Sequence, residues 1–97
     1  MLEEQYMRQE FEKILGEELR YLAITTRDRL ELTQKEMGEK LEMGIGSYSD
    51  VETGETICIS ALSLVLLLGL QEDPRDFLAL VLQKFAKQRD EELQPMT

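Results

Sequence analysis

A chain of 97 residues has the length of one small domain, and its 20 acidic against 11 basic residues leave a formal net charge of −9 that opposes indiscriminate adhesion to nucleic acid. The absence of histidine excludes imidazole-based zinc sites and histidine acid–base catalysis. The single cysteine, Cys58, excludes an intrachain disulfide and, between Ile57 and Ile59, reads as a small buried hydrophobe rather than a nucleophile.

The first predicted element runs over residues 2–29, where Met7, Phe11, Leu15, Leu19 and Leu22 step by four and then three and form one apolar helical stripe. Gly16 either breaks it, dividing an N-terminal helical extension (1–18) from the first helix of a domain that starts at residue 19, or merely weakens it by about 1 kcal/mol. Thr25 and Thr26 are poor helix-interior residues, so the helix is expected to end between Thr26 and Leu30. The opening MLEEQYMRQE lacks a positive region followed by an apolar core, and the apolar run around residues 64–70 is too short to cross a bilayer. The expectation is a cytoplasmic protein with no membrane association.

Residues 33–54, TQKEMGEKLEMGIGSYSDVETG, hold the most specific pattern. Thr33 and Glu36 form a TxxE capping box, which fills free amide groups at a helix start. Met37, Leu41 and Met43 give that helix its apolar side, and Gly38 permits close approach of another segment. Tyr48 and Val51 repeat at i, i+3 on a second short helix, which Gly54 closes as a left-handed cap. Two short helices with starts about ten residues apart make a helix-turn-helix.

These residues resemble the helix-turn-helix of the phage-repressor (Cro/cI, XRE) family, whose pattern is roughly LTQxxxAxxxGVxxxxIxxxExG. Leu32, Thr33 and Gln34 match its start, Gly38 its small residue, Met43 its turn hydrophobe, Tyr48 its buried aliphatic position, and Glu52 with Gly54 its ExG ending. Leu19, Leu22 and the run from Ile59 to Leu70 fall where flanking helices belong, so the resemblance covers about residues 19–70. One departure is Glu42, which stands where the family has a glycine at positive φ and so implies strain of about 1 kcal/mol unless Gly44 lets the turn form differently.

After Gly54 the segment ETICI reads as an extended connection, and Ser60 then caps a helix from Ala61 to Leu68 closed by Gly69. That helix is apolar nearly all round and must be covered on more than one side. Asp73 before Pro74 begins a final helix, with Asp76 in its first turn and Phe77, Leu78, Val81, Leu82 and Phe85 as one face. Pro95 lies in a flexible tail, residues 94–97. The expected architecture is all-α: a five-helix repressor-like domain (19–70) with an extra N-terminal helix and a C-terminal helix (71–93) suited to dimerisation. Leu66, Leu80 and the N-terminal stripe exceed what so small a domain buries, so a homodimer through the C-terminal helix and the region of Leu64 and Leu68 is expected.

Nothing in the sequence suggests an enzyme. Its carboxylates are spread over solvated helix faces, no GxGxxG or GxxxxGK phosphate loop occurs, and no cofactor, metal or small-molecule ligand is expected. The resemblance implies a transcriptional regulator that docks a dimer on double-stranded operator DNA. It implies further that Ile45, Gly46, Ser47, Ser49 and Asp50 face the major groove, Ile45 against a thymine methyl and Asp50 as an acceptor for a cytosine amino group. By the same analogy Gln34 and Thr53 hold phosphates, with Thr33 and Lys35 beside them at the start of the first motif helix.

Charge pulls the other way. Residues 31–56 carry seven acids and two bases, Lys35 and Lys40, whereas duplex affinity comes largely from Lys and Arg displacing counterions. DNA binding therefore needs attraction from Arg20, Arg27 or Arg29 on the preceding helix. The alternative is a degenerate helix-turn-helix whose acidic face binds a basic protein, such as a toxin or another regulator.

Overall fold

The computed structural model describes residues 2–54 and 59–93, with side chains over 8–54 and 59–90. Five helices follow one another: α1 (Leu2–Leu30), α2 (Gln34–Lys40), α3 (Ile45–Thr53), α4 (Ala61–Gly69) and α5 (Pro74–Leu93). No strand occurs among the described residues, so the all-α, five-helix expectation holds. Cys58 and the rest of the ETICI connection before Ile59, the Met7 side chain and the 94–97 tail lie outside what is described.

α1 is a single rod of 29 residues. Gly16 is buried inside it rather than breaking it. A helical glycine costs about 1 kcal/mol relative to alanine, too little to interrupt a helix packed along its length. The rod ends at Leu30, where Glu31 turns left-handed at φ 57° and the Leu32 amide returns to the Arg27 carbonyl at 3.1 Å.

α5 runs antiparallel to α1. Arg29 donates to the Leu70 carbonyl at 2.6 Å, Glu18 pairs with Lys84, and Phe11 stacks on Phe85 with centroids 4.8 Å apart, so α5 numbers rise as α1 numbers fall. Phe77 and Val81 are buried between them, while Leu78 and Leu82 are exposed. The apolar face of α5 is therefore Phe77, Val81 and Phe85, narrower than the sequence pattern suggested, because the 78/82 row points off the helix contact.

The core gathers Leu19 and Ala23 from α1, Met37 and Leu41 at α2, Tyr48 and Val51 from α3, Leu67 from α4, and Phe77 and Val81 from α5. α4 enters it through its N-cap. Ser60 accepts the Ser63 amide at 3.0 Å, and the Ser63 hydroxyl donates to the Leu41 carbonyl at 2.6 Å, pinning α4 to the end of α2. Leu64, Leu66 and Leu68 pack against the core while Leu62 and Val65 are the large side chains of α4 that stand exposed, so most of its apolar bulk is covered within the chain. Its end is not a glycine cap: Leu70 follows Gly69 at φ −84°, and the Gln71 side chain donates through Nε2 to Thr26 Oγ1 at 2.9 Å and to the Leu67 carbonyl at 3.0 Å. α5 starts as its sequence implies, with Asp73 accepting the Arg75 amide at 3.0 Å before Pro74.

Candidate nucleic-acid interface

The helix-turn-helix is α2, a four-residue turn and α3. Thr33 Oγ1 accepts the Glu36 amide at 3.1 Å and the Glu36 carboxylate accepts the Thr33 amide at 3.0 Å, completing the capping box. Hydrogen bonding of that carboxylate to the Thr33 backbone amide, and next to the Thr33 hydroxyl, holds the Glu36 carboxyl below its ordinary range. Gly38 lets the turn pack closely on α2. A Cβ there would meet the Met43 carbonyl oxygen at 3.1 Å, the same oxygen-bearing backbone whose amide bonds back to Gly38 at 2.8 Å. Glu42 adopts φ 55° while Gly44 stays at −67°, so the left-handed turn residue is the glutamate and the strain is real. Gly54 closes α3 at φ 74°, tucked against the Arg20 side chain.

α3 differs from its neighbours at its start. Thr33 caps α2 and Ser60 caps α4, but Gly44 offers α3 no side chain, and no acid sits in its first turn. The leading amides of Ile45, Gly46 and Ser47 thus have no side-chain cap, and no first-turn acid offsets the positive end of the helix dipole. Ile45 is 55 % exposed, Gly46, Ser47 and Asp50 are exposed, and no protein atom lies within 4 Å of where a Cβ would stand on Gly44 or Gly46. Ser49 is half-buried, and Thr53 is exposed with its hydroxyl donating to the Asp50 carbonyl at 2.9 Å. Thr33 and Lys35 are exposed at the head of α2.

Gln34 does something else. Its amide nitrogen donates to Glu52 Oε1 at 3.0 Å, part of a buried polar cluster between α1, α2 and α3. Arg27 makes a two-pronged pair with the same carboxylate, Nε to Oε2 at 2.6 Å and Nη2 to Oε1 at 3.1 Å, and its third nitrogen donates to the Leu32 carbonyl at 3.2 Å. The Glu52 side chain is 7 % exposed. Burial alone would raise its carboxyl, but the hydrogen bonds from Arg27, Tyr48 and Gln34 prevail and hold it below the ordinary range. Burial pushes the Tyr48 phenol up, with Glu52 adding to the shift; its hydroxyl donates to the Ala23 carbonyl at 3.4 Å.

This cluster also answers where the α1 arginines go. Arg27 is bound to Glu52, Arg20 donates to the Glu52 carbonyl at 3.0 Å, and Arg29 donates to Leu70. All three hold helices together. Glu52 reads in the sequence only as part of the ExG ending, yet it falls at i+4 from Tyr48, on the buried side of α3. A charge at a core position demands a partner, and that rule points to the helix with the spare arginines.

No family model, curated protein or solved structure matches this chain. Among the described residues no helix is long and apolar enough to cross a membrane, and no three His, Cys, Asp or Glu side chains gather as a metal site.

Proposed function

We propose that this protein is a helix-turn-helix transcriptional regulator of the phage-repressor (Cro/cI, XRE) type, which binds operator DNA through the start of α3 and acts as a homodimer. The observation that carries the reading is the exposed and uncapped N-terminus of α3. Its free amides and helix dipole attract phosphate without any lysine or arginine. Ile45, Gly46, Ser47 and Asp50 present a small, nearly flat edge to the groove, with Ile45 for a thymine methyl and Asp50 for a cytosine amino group. Lys35 and Lys40 on α2 are both exposed. Gln34 contributes by fixing the α2–α3 geometry through Glu52 rather than by touching phosphate. Leu62 and Val65 on α4 and Leu78 and Leu82 on α5 are the exposed apolar residues available for a second copy.

Fluorescence anisotropy with duplex DNA from upstream of the protein's own gene tests this. The expected result is specific binding at low salt, weakened about tenfold by Ser47→Ala, with a shallow salt slope of about 2–4 because few cations replace counterions. No binding even at low salt rejects the reading. A second reading, in which the acidic α2–α3 face binds a basic protein, is favoured by one observation: Arg20, Arg27 and Arg29 are all engaged within the chain.

A further inference from the structure

α1 divides the molecule into two sides. Arg20, Ala23 and Arg27 meet α3, whereas Glu18, Leu22 and Arg29 lie on the far side of the helix, against α5 and the α4–α5 turn. That far side holds an open groove of about 390 Å³. Tyr21, Leu22, Phe77 and Leu80 make its apolar surface, and Tyr21 at 70 % and Leu80 at 41 % exposure stand up along its margins.

The polar margin is acidic: Glu18, Glu72, Asp73 and Asp76 against the single cation Arg29. Glu18 is paired with Lys84 and Asp73 with Arg75, and the Arg29 guanidinium is drawn onto the Leu70 carbonyl. Glu72 makes no hydrogen bond or ion pair among the described residues, and Asp76 feels the charge of Arg75 without pairing with it, since that guanidinium is held by Asp73. An apolar trough with two open carboxylates beside it is complementary to an apolar side chain flanked by lysine or arginine. The same carboxylates repel nucleic acid, and the protruding tyrosine and leucine offer more apolar surface than a small cation covers.

We propose that the α1–α5 groove docks a basic amphipathic segment of another protein, with its apolar side chain between Tyr21 and Leu80 and its cations on Glu72 and Asp76. This site lies across α1 from the α3 surface, so it stands or falls independently of DNA binding. It gives the chain a second contact through which a partner and an operator are held at once.

The test uses the full chain and a fluorescein-labelled helical peptide of leucine, alanine and lysine, with a counterpart carrying glutamate for lysine, at about 0.15 M salt. The basic peptide is expected to bind, the acidic one not. Glu72→Lys/Asp76→Lys and Leu80→Asp should each weaken binding about tenfold with helical circular dichroism and DNA binding unchanged, whereas the equal charge swap Glu39→Lys/Glu42→Lys should leave it within about twofold. Equal loss in the Glu39/Glu42 variant would mean diffuse charge attraction and overturn the proposal. So would failure of the basic peptide to bind, equal binding of the acidic peptide, or conversion of a dimer to a monomer by Leu80→Asp, which would put a second copy in the groove.

Discussion

α1 holds its two long-range partners by opposite means. Towards α3 the contact is wired with polar groups, the Arg27–Glu52 pair with Gln34 and Arg20 around it; towards α5 it is mostly apolar, with Phe77 and Val81 buried and Phe11 stacked on Phe85. Apolar packing is non-directional, so it secures α5 without dictating its exact rotation. A two-pronged guanidinium–carboxylate contact admits one geometry. The helix that presents the candidate DNA-reading edge is the one whose placement is fixed by direction-dependent bonds.

The largest expected effect comes from breaking the polar side. Arg27→Ala leaves the Glu52 carboxylate buried without its main partner and should cost about 3–5 kcal/mol, read as a fall in the urea midpoint. Replacing both members, Arg27→Met with Glu52→Leu, should recover most of that loss, since no uncompensated charge remains. On the apolar side Phe77→Ala should cost about 3 kcal/mol, the lower end for a buried aromatic because Phe77 keeps 8 % exposure. If Arg27→Ala proves milder than Phe77→Ala, the contrast between the two contacts fails.

Acid sharpens the same contrast. Glu52 sits below its ordinary value when folded, so its contribution is fully present above the unfolded carboxyl value of about 4.3 and is lost as pH falls through the folded one. Between about pH 5 and pH 3 the wild type should therefore lose stability more steeply than Glu52→Gln, whereas Phe77→Ala should keep the wild-type slope. Glu36 and Asp73 are also lowered by their hydrogen bonds, but both remain in every one of these variants and cancel in the comparison. The smallest effect is a gain. Glu42→Gly relieves a left-handed φ of 55° and should stabilise by about 0.5–1 kcal/mol, detectable as a rise in Tm.

What the sequence made legible was local. The capping box, the Gly54 cap, the Ser60 cap and the Asp73–Pro74 start each depend on residues within a turn of one another, and each stands in the structure as read. Periodicity likewise found the α5 stripe but overstated its width, because a helix wheel shows which residues share a side and not how far the neighbouring helix reaches across it. The Arg27–Glu52 pair joins residues 25 apart and the Gln34–Glu52 bond residues 18 apart, both beyond the reach of a local pattern. Local rules leave Gly16 as either a break or a small penalty, and what the rest of the rod packs against decides for the penalty.

The unbroken α1 has a consequence for how the protein comes apart. Its middle turns, around Leu19 and Ala23, lie beneath both the α3 and the α5 contacts, so neither can open while those turns remain helical and fully packed. Amide protons there should exchange with solvent only through complete unfolding, and all five helices should melt in one transition. A chain shortened to begin at residue 19 would discard Phe11, Leu15 and Glu18 from under α5 and would not isolate a self-sufficient helix-turn-helix.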